Sequence, residues 1–232
     1  MALSIDFSDL LQGENLHAIG SGIAVTLELT LLAWLLAMVL GTLLAVVRMT
    51  ENRWAEALVG AYVEYHRNVP MLVQIFIWYF GVPTLLPDAL QRTLNNHGSE
   101  FIFSCIAIGL CVAAYVSEDL RGGIRAIPAS QSEAGRVLGL SYLQTSRLVV
   151  MPQAARIALP MLVNHTVLLF KGTSLGMTVG VAELMYATRE IESRTFRTFE
   201  IYGVATLVYL GISILIMVAG ELLERRYQLR AR

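Results

Sequence analysis

Five stretches of this chain run with almost no charge, and each is close to the length that a lipid bilayer demands. Ile23–Val47 contains Glu28 as its one charged residue. Val69–Leu86, Phe101–Ser117 and Ile201–Gly220 contain none, and Ile157–Ala182 contains Lys171 and His165. A helix crosses the hydrocarbon core with roughly 20 mostly apolar residues. Soluble domains are about a quarter charged, whereas here 15% of the 232 residues are charged and 56% are hydrophobic. A disordered chain is excluded, and the reading is an all-α integral membrane protein, one domain over 1–232, with five spans at 23–47, 69–86, 101–117, 157–182 and 201–220. The first run is longer than a signal-peptide core and no Lys or Arg precedes it, so it is read as a retained helix.

Five spans place the termini on opposite sides, and basic residues decide which side is inner. Segments 48–68, 118–156 and 221–232 hold twelve arginines, and segments 1–22, 87–100 and 183–200 hold four. The C-terminus is therefore expected in the cytoplasm. The N-terminus, whose tail carries Asp6, Asp9 and Glu14, is expected outside. The overall charge of −1 resolves into an inner face of +4 and an outer face of −5. No basic surface suited to nucleic acid is present. Cys105 and Cys111, six residues apart, fall on different faces of one helix and read as packing residues. No metal-ligand cluster, paired carboxylates or nucleophile triad stands out, so neither a catalytic nor a metal site is assigned.

The inner segments carry the local signals. Arg53–Arg67 mixes Glu56 and Glu64 with Leu58, Val59, Tyr62 and Val63, the pattern of an amphipathic helix at the membrane surface. The loop from Glu118 to Arg156 contains two capping boxes, Ser130-Gln-Ser-Glu133 and Ser141-Tyr-Leu-Gln144. Between them Gly139 is suited to a left-handed helix end. Pro152 is expected to limit the second short helix and Pro160 to lie near the start of the next span. A helix–glycine–helix unit over about 128–152 is thus expected to protrude from the membrane and meet a partner.

Glu133-Ala134-Gly135, Gly139 and Pro160 resemble the Glu-Ala-Ala…Gly loop of ABC-importer permeases. Ala114-Tyr115-Val-Ser-Glu118-Asp-Leu-Arg121-Gly122-Gly123-Ile124 is similar to the polar amino acid branch of that family. So are Leu138-Gly139-Leu140-Ser141, Met151-Pro152-Gln153-Ala154, Lys171-Gly172-Thr173-Ser174-Leu175 and Arg67-Asn68-Val69-Pro70-Met71-Leu72-Val73-Gln74. The resemblance covers nearly the whole chain. Two departures stand out. Gly135 replaces the second alanine, which weakens a helix by roughly 1 kcal/mol. Gly172 stands where many relatives carry Asp or Asn.

The resemblance implies a permease subunit of a bacterial binding-protein-dependent importer in the inner membrane. It implies no cofactor in this chain, because ATP is bound by a partner, and no Walker-type loop occurs here. The implied partners are a second permease chain (a homologous partner favoured over an identical copy), two ATPase subunits, a periplasmic amino-acid-binding protein and membrane lipid. Glu133, Ala134, Gly135, Gly139 and Leu140 would couple to the ATPase, with Glu133 also capping its own helix. Tyr62-Val-Glu64-Tyr-His-Arg67-Asn68-Val69-Pro70, with Trp78-Tyr79 and Pro83 to Pro87, looks most like glutamate/aspartate permeases.

Lys171, Gly172, Thr173, Ser174, Glu118 and Gln74 are the substrate-path candidates. Lys171, the sole lysine, could face a substrate carboxylate, with hydroxyl donors from Thr173 and Ser174. Alternatively it pairs with Glu28 or Glu118, or snorkels. Glu118 could pair with Arg121 or Arg125. His165 has no obvious partner in the sequence. Gly176 and Gly180 form a Gly-x-x-x-Gly pair suited to close helix approach. The rival classes are an ion-coupled transporter or channel, which would need charges in several spans, and an intramembrane enzyme.

Overall fold

The computed structural model describes Phe7, residues 13–50 and residues 52–227. Asp6, Asp9, Glu51, Arg230 and Arg232 of the charge layout lie outside the described residues. Every regular element among those described is helical. In chain order these are α1 (Gly13–Arg48), α2 (Arg53–Asn68), α3 (Met71–Phe76), α4 (Asp88–Asn95), α5 (Ser99–Arg125), α6 (Ala129–Val137), α7 (Tyr142–Thr145), α8 (Met151–Gly172), α9 (Leu184–Thr195) and α10 (Thr198–Tyr227). Wider π-type turns cover Ile77–Gly81 and Ser146–Val150, and tighter 3₁₀ turns cover Val82–Leu85 and Thr173–Val179.

Three helices, α1, α5 and α10, are each long and apolar enough to cross a membrane. Two pairs, Arg53–Asn68 with Met71–Leu85 and Tyr142–Val179 with Leu184–Thr195, qualify as broken spans, giving up to five. The sequence of α1 shows how such a helix packs. It has no polar face, yet its residues divide into two stripes at four-residue spacing. Leu29, Ala33, Ala37, Gly41 and Ala45 are buried, and Leu27, Leu31, Leu35, Val39, Leu43 and Val47 are exposed. In lipid, apolar surface gives helices no reason to associate, so contact favours small side chains that let backbones approach. The large side chains are left for the acyl chains.

The chain forms two compact units. The first comprises Met1–Trp34, Met71–Gly109 and Leu168–Leu215. Its core gathers Ile19, Leu184, Ile191 and Ile201, with Ile23, Tyr202 and Val208 packed against them. Glu183, fully buried, closes the start of α9. Its two carboxylate oxygens accept the backbone N–H of Tyr186 and Met185, each at 2.9 Å, and the Tyr209 hydroxyl at 2.9 Å. The Leu184 N–H goes to Thr26 Oγ1 at 3.1 Å, so the start of α9 is tied to α1 by a buried polar contact.

The second unit comprises Leu35–Pro70, Leu110–Val167 and Ile216–Arg232. Here Val59 and Val63 of α2 are buried with Ala114, and Leu44 and Tyr62 pack beside them. The Tyr62 hydroxyl donates to Leu110 O at 2.6 Å, and Cys111 Sγ donates to His66 O at 3.5 Å. Neither cysteine is in a disulfide, and Cys111 is buried and Cys105 half-buried. α2 is therefore anchored by its valine face, while Trp54 and Leu58 remain exposed.

Two sequence expectations are corrected here. Pro152 does not limit a helix, because the chain runs from α7 through the π-type turn into α8. That wider turn already shifts the hydrogen-bond ladder, with Met151 N–H reaching Ser146 O, so the missing N–H of Pro152 falls at the start of a new register. Pro160 consequently lies inside α8. Gly176 and Gly180 lie in the 3₁₀ turn that follows α8 and at its end. Gly176 faces Val181 in the same turn, and Gly180 ends that turn in the left-handed region at φ +96°.

Candidate functional site

The loop between α5 and α8 is built by local rules. α6 ends in a Schellman arrangement: Gly139 N–H donates to Arg136 O at 3.0 Å and Leu140 N–H to Gly135 O at 3.1 Å. Gly139 takes φ +76°, where a side chain would meet the carbonyl. Ser141 then caps α7 with both halves of the capping box: Gln144 N–H donates to Ser141 Oγ at 3.3 Å, and Ser141 N–H to Gln144 Oε1 at 2.8 Å. The first capping box is absent. α6 starts at Ala129 behind Pro128, with no side-chain cap on its N-terminus. Proline fixes the entry φ and has no N–H to satisfy, so Ser130 is already inside the helix and Glu133 caps nothing.

Gly135 is where α6 and α7 meet. A Cβ placed there would lie 2.7 Å from Thr145 Cγ2 and 2.8 Å from its Oγ1. The departure from alanine is thus a packing requirement. The same geometry turns the end of α6 outward: Val137 is 87% and Leu138 78% exposed, and Glu133 and Ala134 are exposed beside them. The five coupling candidates therefore share one compact element, with Gly135 buried on its inner side and Leu140 half-buried.

Behind the loop lies a carboxylate held by two arginines. Glu118 accepts from Arg48 Nη1 through one oxygen, and from Arg121 Nε at 3.0 Å and Arg121 Nη2 through the other. Arg48 is 11% and Glu118 16% exposed at the side chain. The sequence pointed to Arg121; Arg48, seventy residues upstream, carried no signal of its own. His165 also has a partner the sequence did not disclose. Its Nδ1 lies 2.6 Å from Asp119 Oδ2, its ring stacks on Tyr115 at 4.9 Å, and Arg67 covers the other ring of that pair at 5.5 Å. An acidic residue one position after Glu118 was the available clue.

The remaining substrate-path candidates belong to the first unit. Lys171 is exposed, as is Glu28 on α1, while Glu118 is engaged by its arginines. Gly172 faces Met71, whose Sδ would sit 2.8 Å from an added Cβ, so packing accounts for this glycine. Gln74 is buried on α3. The Thr173 hydroxyl is buried and donates to Phe170 O at 2.7 Å, and the Ser174 hydroxyl donates to Lys171 O at 2.7 Å. Each hydroxyl has a single proton, which here goes to a local carbonyl.

Residues 37–229 match the family described as the binding-protein-dependent transport system inner membrane component. The chain is 32% identical over 215 residues to the glutamate/aspartate import permease protein GltJ of Escherichia coli, covering 91% of this chain and 87% of that protein. It is 31% identical over 208 residues to the histidine/lysine/arginine/ornithine transport system permease protein HisM of Escherichia coli, covering 89% and 87%. A crystal structure of an amino acid ABC transporter with histidines superposes with a TM-score of 0.81 at 28% identity, over 97% of this chain and 100% of that one. A helical membrane chain with this fold, this loop and this extent of similarity belongs to the binding-protein-dependent transport system inner membrane component family.

Proposed function

We propose that this chain is the permease subunit of an ABC importer for polar amino acids, with glutamate or aspartate as its substrate. The observation that carries the reading is the α6–Gly139–α7 element, which is tied internally and presents Val137 and Leu138 to solvent. Exposed apolar side chains on a rigid element suit burial in a groove of another protein. In this role the element enters a separate ATPase, which binds the nucleotide, and closure of the ATPase dimer moves the spans. A binding protein delivers substrate on the opposite side. The arginine-rich side faces the cytoplasm, with the N-terminus outside. The second permease chain is a homologue of this one.

Uptake by the reconstituted complex should require ATP and the ATPase subunit. Glu133→Lys and Gly139→Val are expected to abolish ATPase assembly or uptake while membrane insertion survives, the second because a β-branched residue at φ +76° costs at least about 1–2 kcal/mol. Normal uptake in both variants would remove the docking role.

The acidic substrate is supported by the 32% relative and by Lys171, a cation in an apolar segment. The 31% relative named for basic amino acids makes the competition assay decisive. Glutamate should outcompete glutamine, histidine and arginine. Lys171→Met should lower glutamate uptake about tenfold, the scale of one lost charged hydrogen bond. Preferential uptake of arginine would defeat the assignment.

A further inference from the structure

Neither coupling nor translocation accounts for a cavity at the C-terminal end of α1. It measures about 630 Å³ and is walled by Arg48, Thr50, Ser132, Arg136 and Ser146 among others. That size lies within the roughly 300–1,000 Å³ of small-molecule sites. Among the described residues no carboxylate lines it. Arg48 lines the cavity with its guanidinium bound through Nη1 to Glu118. Glu118 offsets only one of Arg48 and Arg121, and the exposed Arg136 adds a further positive charge.

A second groove of about 230 Å³ adjoins the first at Ser146, which lines both. Its walls are Thr42, Val46, Leu143 and Met151, with Arg147 beside them. Val46 and Thr42 lie about one and two helical turns before Thr50, back along α1 toward its apolar span. A basic, hydroxyl-lined chamber at a helix end thus leads into an apolar groove along the membrane segment. A free anion would use only the chamber. A phospholipid uses both.

We propose that these two cavities hold an anionic phospholipid of the inner leaflet. Its phosphate lies between Arg48 and Arg136, and one acyl chain runs past Val46, Thr42 and Leu143. Basic pockets between membrane helices on the cytoplasmic side suit such headgroups. The lipid bridges the end of α1 to α6 and α7, so its presence stiffens the element that meets the ATPase. The placement in the inner leaflet rests on the arginine-rich side being cytoplasmic.

The test uses the whole importer complex purified in mild detergent, where binding does not depend on membrane sidedness. A failed topology, detected separately by cysteine labelling in cells, is therefore distinct from failed lipid binding. Native mass spectrometry after exposure to mixed micelles of phosphatidylglycerol and phosphatidylcholine should show phosphatidylglycerol retained about tenfold over phosphatidylcholine. Arg136→Glu, at an exposed position, should erase that preference without lowering the melting temperature. Thr42→Trp, which fills the groove away from the coupling element, should also release the lipid. Glycerol phosphate should compete poorly. Retention unchanged in both variants, equal retention of the two lipids, or glycerol phosphate competing as well as the intact lipid would each overturn the proposal, the last by reducing the site to one for a free anion.

Discussion

Replacing Gly135 by alanine is expected to destabilise the coupling element and depress uptake, although alanine is the better helix former. Helix propensity alone argues for a gain of roughly 1 kcal/mol. Packing argues the other way and is larger: the new methyl would lie 2.7 Å from Thr145 Cγ2 and 3.3 Å from its Cβ. Overpacking of this kind costs typically about 1–3 kcal/mol. The compensating change is Thr145→Ala, which removes both closest atoms. Thr145 Oγ1 is buried without a hydrogen-bond partner, so that change alone should cost little. The double variant should recover most of the melting temperature and ATPase-coupled uptake lost in Gly135→Ala, with a coupling energy of about 1 kcal/mol or more. A more stable Gly135→Ala single variant would show that α6 and α7 do not approach as described.

That contrast also shows where sequence reasoning ends in this chain. The three long apolar helices α1, α5 and α10 were legible because lipid imposes a length and a polarity that few other environments demand. Gly139 and Ser141 were legible because helix ends leave orphan backbone groups that only certain residues satisfy within three or four positions. Each departure involved a competitor at longer range or of equal local strength. Pro128 started α6 before Ser130 could cap it. The turn at Ser146–Val150 absorbed Pro152. Gly135 looked like a weakened helix because its reason, Thr145, lies on the next element. Asp119 and His165 meet across forty-six residues, a distance at which spacing says nothing. The local acceptors of the Thr173 and Ser174 hydroxyls, Phe170 O and Lys171 O, appear only once the turn is known to be helical.

Removing the carboxylate of Glu118 is expected to have the largest effect of any single change, acting on assembly ahead of substrate affinity. Arg48 and Glu118 are both largely withdrawn from solvent, and Arg121 is 28% exposed. Breaking a buried ion pair from one side leaves the other charge uncompensated, which costs about 3–5 kcal/mol. Glu118→Ala would leave Arg48 in that position and should lower the folded yield and melting temperature severely. Arg121→Ala leaves the Arg48 pair intact and removes a group that water already reaches, so its cost should be clearly smaller. Arg48→Met with Glu118→Leu removes both charges and keeps the volume, and should recover a large part of the stability. The order Glu118→Ala worst, double variant intermediate and Arg121→Ala mildest, read by thermal unfolding of the purified complex, identifies a structural triad that ties the end of α1 to α5. If Glu118→Ala instead folds normally and raises the KM for uptake with kcat unchanged, the carboxylate belongs to the substrate path, as the sequence alone allowed, and the two arginines merely orient it.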